Sequence, residues 1–159
     1  YRGNGYDGVT IMRLRKQDIN GDYQFGHGGA DFWYNQVEGV GQSIVTRLLL
    51  FKGEWFIDLQ EGTPWGGFPL NPLVVSQGQI LGEHTETMRD VVIRSRVLAT
   101  PGVQSIDAYY SQVDPNSRAF AVQMIVTTIY GRLGIQVTPT VERPYFTLSW
   151  SALTGSYPL

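Results

Sequence analysis

The chain has no cysteine, which removes disulfide frameworks and thiolate chemistry and is compatible with a reducing compartment. Charge is sparse: 16% of the 159 residues are Asp, Glu, Lys or Arg, with a formal net charge of -2. Neither nucleic acid nor an anionic membrane surface has an electrostatic reason to hold such a chain. Lysine is scarce, since ten of the twelve basic residues are arginine, and Arg is favoured over Lys in interface cores. The two histidines, His27 and His84, lie more than fifty positions apart; with so few, the three or four convergent ligands of a metal site are not available from His and Cys. The longest apolar stretch, Ile44 to Phe51, is broken by Thr46 and Arg47 and falls far short of the roughly 20 residues that cross a bilayer as a helix. No signal-peptide pattern opens the chain; it starts at Tyr1 rather than Met, which is read as a start inside a longer gene product.

What is present is material for one folded domain. The apolar fraction of 42% is that of a globular protein, and the length favours a single core. The best-defined unit is 85–131. Thr85 to Ala99 is free of Gly and Pro and stops at Thr100-Pro101-Gly102, the pattern of a helix and its terminator. Two strand-like runs follow, joined at Asp114-Pro115-Asn116. In the second, Phe120, Val122, Met124, Val126, Thr128 and Tyr130 fall on one side by strand alternation. That large apolar face predicts a strand central to a sheet, with a helix packed on it. Another strand is expected around Ile135 and Val137.

Upstream, Trp33, Val37, Val40, Ile44, Leu48 and Phe51 follow a spacing of three and four. This predicts a helix over 32–51, capped by Asp31. Gly39 and Gly41 inside it are expected to admit a close backbone neighbour; as a dinucleotide fingerprint they lack a third Gly and a preceding strand. Residues 1–30 hold seven of the nineteen glycines and read as an N-terminal arm with one short strand, Val9 to Arg15. Residues 138–159 carry Pro139, Pro144 and Pro158, with Phe146, Leu148 and Trp150 alternating against Thr147 and Ser149, and read as a C-terminal arm. The expected fold is α+β: a small, mostly antiparallel sheet over 103–137, backed by helices at 32–51 and 85–99, with a core domain of 31–137 between two arms. Val9, Ile11, Arg13, Phe146, Leu148 and Trp150 are the expected partner-binding residues, because an arm that does not bury its own apolar residues buries them on a neighbour.

The stretch GEWFIDLQEGTPWGG, followed by a helix, TPGV and a strand–turn–strand ending in YG, resembles the small baseplate wedge proteins of contractile-tailed bacteriophages. That group is also described as the lysozyme-like wedge or sheath-initiator family, and its Mu-type members look nearest. The resemblance covers about 35–131. It rests on Leu48, Leu49 and Leu50, then Gly53, Glu54, Asp58, Gly62 and Pro64, then Pro101, Gly102 and Val103 opening a hairpin. Trp55 stands where many members carry a charged residue. The resemblance implies a structural baseplate subunit, not an enzyme, without cofactor. Its implied partners are other wedge subunits, the tail tube and the first sheath ring, in a symmetric multi-copy assembly. The implied place is the virion tail, with host cytoplasm during assembly.

Two other chemistries compete with that reading. Glu54, Asp58 and Glu61, with Trp55 and Trp65 nearby, offer a peptidoglycan-active or sugar-binding loop at 53–66, since paired carboxylates ~5–10 Å apart hydrolyse glycosides. The bland account has Glu54 binding loop amides or an Arg, with Asp58 and Glu61 solvated. Tyr109, Tyr110, Trp150 and Tyr157 are the residues for a carbohydrate-binding surface, though such modules are generally all-β sandwiches. Arg89, Arg94 and Arg96 read as a solvated helix face beside Asp90, or as contacts to a neighbour's carboxylates.

Overall fold

The computed structural model describes residues 12–18, 20–65, 86–114, 120–139 and 146–153. Its centre is a four-stranded antiparallel meander in the order β3-β4-β5-β6, formed by β3 (Val103–Val113), β4 (Phe120–Thr128), β5 (Gly131–Pro139) and β6 (Phe146–Leu153). Two helices, α1 (Val37–Leu49) and α2 (Glu86–Leu98), lie on one face of it, α1 against β5 and β6 and α2 against β3. A separate two-stranded ribbon pairs β1 (Arg13–Arg15) with β2 (Phe32–Tyr34). The fold is α+β.

Alternation along β4 sets the core. Phe120, Val122, Met124, Val126 and Thr128 are buried, and Leu133, Ile135 and Val137 continue the same face on β5. The helices answer with Val40, Ile44 and Leu48 from α1 and Ile93 and Val97 from α2, each 1% exposed or less. Burying an aliphatic side chain of this size contributes roughly 1.5–3 kcal/mol, so this layer dominates the stability of the domain. Trp65, fully buried, closes its end, stacking on Phe120 at 5.9 Å and donating its indole N–H to the Leu48 carbonyl.

Several expectations need correction. The helix expected over 32–51 begins only at Val37, because the aromatic trio Phe32–Tyr34 pairs as a strand and Asn35 adopts φ +49°, which breaks a helix. Asp31 does not cap it. It is buried in a 3₁₀ turn, Gly28–Asp31, where its two oxygens accept from the His27 amide and ring, each at 2.9 Å. The sheet does not end at 137: β6, taken from the stretch expected as a C-terminal arm, pairs with β5 over eight residues. The N-terminal stretch is also tied down where it is described. The buried Gln42 amide donates to the Arg15 carbonyl (2.7 Å), and its oxygen accepts from the Gln17 amide (3.0 Å) and the Trp33 indole (3.1 Å).

Gly39 and Gly41 admit side chains rather than backbone. A Cβ on Gly39 would meet Met12 and Trp33, and one on Gly41 would lie 2.7–3.0 Å from ring atoms of Trp150. The absence of a side chain at Gly41 lets α1 settle onto β6.

Candidate functional site

The meander leaves two terminal strands, each with a neighbour on one side only among the described residues. A strand edge carries unpaired N–H and C=O groups ready to accept another strand, and natural proteins guard such edges with charge and bulges. β3 is guarded in both ways. Its register with β4 slips between Val103 and Ser105 and again between Ile106 and Ala108, and Asp107 sits at the second slip. The Asp107 carboxylate accepts from Thr127 Oγ1 (2.6 Å) and Ser105 Oγ (2.7 Å) and pairs with Arg132 (3.1 Å). These hydroxyls, with the Arg132 charge, hold its pKa below the usual carboxylate value despite partial desolvation.

β6 lacks both guards. Its sequence, FTLSWSAL, has no charge and no Pro, and its register with β5 runs unbroken from Arg132↔Leu153 to Pro139↔Phe146. The side-chain part of the arm expectation is corrected here. Leu148 and Trp150 pack against the domain's own core, so what β6 presents outward is backbone, flanked by exposed Ser149 and Ser151. Of the other expected partner-binding residues, Phe146 opens β6 opposite Pro139, Arg13 is exposed on β1, and Val9 and Ile11 lie outside the described residues.

The 51–65 loop carries the family-motif residues and the carboxylates. Phe51 and Thr63 bridge in parallel across its base. Gly62, at φ +123°, passes so close that a Cβ would lie 2.5–2.6 Å from the Phe51–Lys52 backbone, so only glycine closes this turn. Gly53 also has positive φ, and Pro64 follows half-buried between Thr63 and Trp65. The carboxylates are each engaged: Glu54 accepts from the Phe51 amide (3.0 Å) and Asp58 from the Gln60 amide (3.0 Å). Glu61 is not simply solvated. It pairs with Arg96 at 2.8 Å and Arg47 at 3.7 Å, and Arg96 and Arg47 donate onward to the carbonyls of Arg47 and Ala99. Burial, then the nearby Arg96 charge, lowers the Arg47 pKa, with Glu61 opposing. Loop and both helices are thereby locked together. At the loop's tip, by contrast, Trp55, Phe56, Ile57 and Leu59 are exposed, Phe56 to 85%.

Among the described residues, the remaining candidates are held in separate contacts. Trp55 is exposed and Trp65 fully buried, so they make no paired sugar platform. Tyr109 is half-buried under Arg94 (4.1 Å) and donates to Asp90 (3.0 Å); burial and that carboxylate push its phenol pKa well up. Tyr110 is exposed on the sheet, Trp150 packs on α1, and Tyr157 and His84 lie outside the described residues. No cluster of three metal-ligating residues occurs among the described residues. The solvated helix face is corrected for two of its three arginines: Arg89 is buried, 3.3 Å from Asp90 and 4.7 Å over the Phe120 ring, and Arg96 is largely buried beside Glu61, while Arg94 is exposed as expected. Pro101, Gly102 (φ +92°) and Val103 make the turn from α2 into β3, with Gly102 lying against Val40.

Among the described residues, the α+β domain leaves the outer edge of β6 without a strand partner. Sequence comparison is specific: the contractile injection system sheath initiator family matches residues 12–131, and the chain belongs to that family. Membership makes it a structural component with a role in sheath initiation, interacting with sheath and baseplate components of a contractile tail. A search of curated proteins finds no match.

Proposed function

We infer that the protein is a wedge-type baseplate subunit of a contractile phage tail that starts the sheath by lending the β6 edge to a strand from the first sheath ring. The observation that carries this is the asymmetry of the meander: a bulged, charged β3 at one end and an unbroken, uncharged β6 at the other. Each added main-chain hydrogen bond contributes only about 0.5–1.5 kcal/mol net, so a single strand pairing is weak, and the ring closes because many copies engage together. The exposed 55–59 tip joins neighbouring wedge subunits or the tube, since contiguous exposed apolar residues mark contact surfaces. Its place is then the virion tail, after assembly in the host cytoplasm.

The native chain has no cysteine, which makes site-specific cross-linking clean. Ser149→Cys on β6 is expected to cross-link to the sheath protein in assembled particles, while Gln112→Cys on β3 does not. Cross-links from position 112 alone, or from neither, overturn the β6 assignment. Either of those results leaves family membership intact.

A further inference from the structure

The β1–β2 ribbon carries a feature that strand pairing by β6 does not use. Arg13 lies 3.9 Å from the Phe32 ring centroid and 5.8 Å from that of Tyr34; Arg15 lies 4.3 Å from Phe32 and 4.4 Å from Phe25. Two guanidiniums and three rings thus form one cation–π cluster, beside a hollow of about 410 Å³ lined in part by Gly26, Gly28 and Gly29. The array is open to solvent: Arg13 is exposed, Phe25 is 66% exposed and Tyr34 43%. Neither Arg forms an ion pair among the described residues. The acid beside them, Asp31, gives both oxygens to His27. Its pKa is still lowered, because the His27 contacts and the Arg15 charge outweigh burial.

A guanidinium stacked on a ring keeps its N–H edge free for bidentate carboxylate binding, in a way an ammonium does not reproduce. Arg15 spends one N–H on the Gln24 carbonyl (3.0 Å), which fixes its plane and leaves donors over. Positions 13 and 15 are alternate residues of one strand, so their side chains leave the same face roughly 7 Å apart. That is also the spacing of alternate side chains in any extended chain. We propose that this array is a docking site for an extended, acidic peptide segment of a neighbouring subunit, with carboxylates at alternate positions. The net charge of -2 provides no long-range field to draw in a polyanion, which favours a short peptide read by local geometry over nucleic acid. The proposal does not depend on which strand edge meets the sheath.

The test is a titration of the full chain with a soluble peptide of alternating Glu and Thr, followed by the NMR signals of the Arg13 and Arg15 Nε–H groups. Saturable shifts are expected, with at least threefold weaker binding for a peptide of equal composition whose Glu residues are adjacent. Arg13→Ala is expected to weaken binding about tenfold. Arg13→Lys, which keeps the charge and the fold, is expected to weaken it severalfold by losing the stack. Absence of saturable shifts at millimolar peptide overturns the proposal, as does Arg13→Lys binding like the native chain. Equal shifts from inorganic phosphate also overturn it, by making the array a general anion site.

Discussion

Gly41 occupies the middle of α1, where alanine favours the helix by about 1 kcal/mol over glycine. Packing opposes that gain, because the nearest atoms to a Cβ there belong to the body of the Trp150 ring, at 2.7–3.0 Å. Overpacking a well-filled site costs roughly 1–3 kcal/mol and outweighs the helix term. Gly41→Ala is therefore expected to destabilise the protein by about 1–2 kcal/mol in urea unfolding, and Gly41→Val by more. With Trp150→Leu already in place, the same Ala substitution is expected to cost little or to stabilise. The double-mutant cycle would then give a coupling of about 1–2 kcal/mol; additive effects would show that the ring does not constrain α1. The sequence carries half of this. Two glycines inside a predicted helix announce a close neighbour, but which residue approaches depends on a strand more than a hundred positions away.

Glu61 acts at the level of the loop between the helices. Its carboxylate is held by Arg96 and Arg47, and the loop base is closed by hydrogen bonds from the Lys52 amide to the Thr63 carbonyl (3.0 Å) and from the Thr63 amide to Leu50 (2.7 Å). Glu61→Gln keeps the shape and removes the charge. Because the Glu61 side chain is a third exposed, the stability cost is expected to be modest, about 1 kcal/mol. The larger change is expected in hydrogen exchange, with faster exchange at Lys52 and Thr63 while core amides of β4 stay protected. Uniform acceleration across the sheet would show that Glu61 supports the whole fold instead. Such pairings are hard to read from sequence. Arg89 and Arg96 look like a solvated helix face because charges usually are. Their burial comes from tertiary partners, Phe120 for one and Glu61 for the other. Helix α2 itself was legible to within one residue at each end, Glu86–Leu98 against 85–99, since Thr100-Pro101-Gly102 stops it locally. The start of α1 was not, because Trp33 continues the helical spacing yet pairs in a strand, and Asn35, a residue type that tolerates positive φ, is also common where the backbone is ordinary.

For the molecule as a whole, the main question is what β6 contributes, since in the proposed role one strand both finishes the core and receives a partner. Alternation made Phe146, Leu148 and Trp150 visible as a strand, but periodicity does not say with what a strand pairs. Proline on either side made 138–159 look detachable. In the fold, β6 covers the outer edge of β5, and its Leu148 and Trp150 join the layer under α1. Losing a packed Leu or Trp costs roughly 2–5 kcal/mol each, set against a total stability of about 5–15 kcal/mol for a domain of this kind. Only partial burial of these two residues keeps the expected cost toward the lower end. A chain ending at residue 145 is thus expected to lose much of its stability and to aggregate through the newly bared β5 edge. Were 146–153 a free arm, the shortened chain would melt like the 159-residue chain and fail only in assembly. Thermal unfolding of the two lengths, read beside sheath formation, separates these cases. If the melting temperature is unchanged while the sheath is lost, β6 is held by the partner rather than by β5. If stability is lost as well, β6 is a strand of the domain's own sheet, and its outer edge is built before any partner arrives.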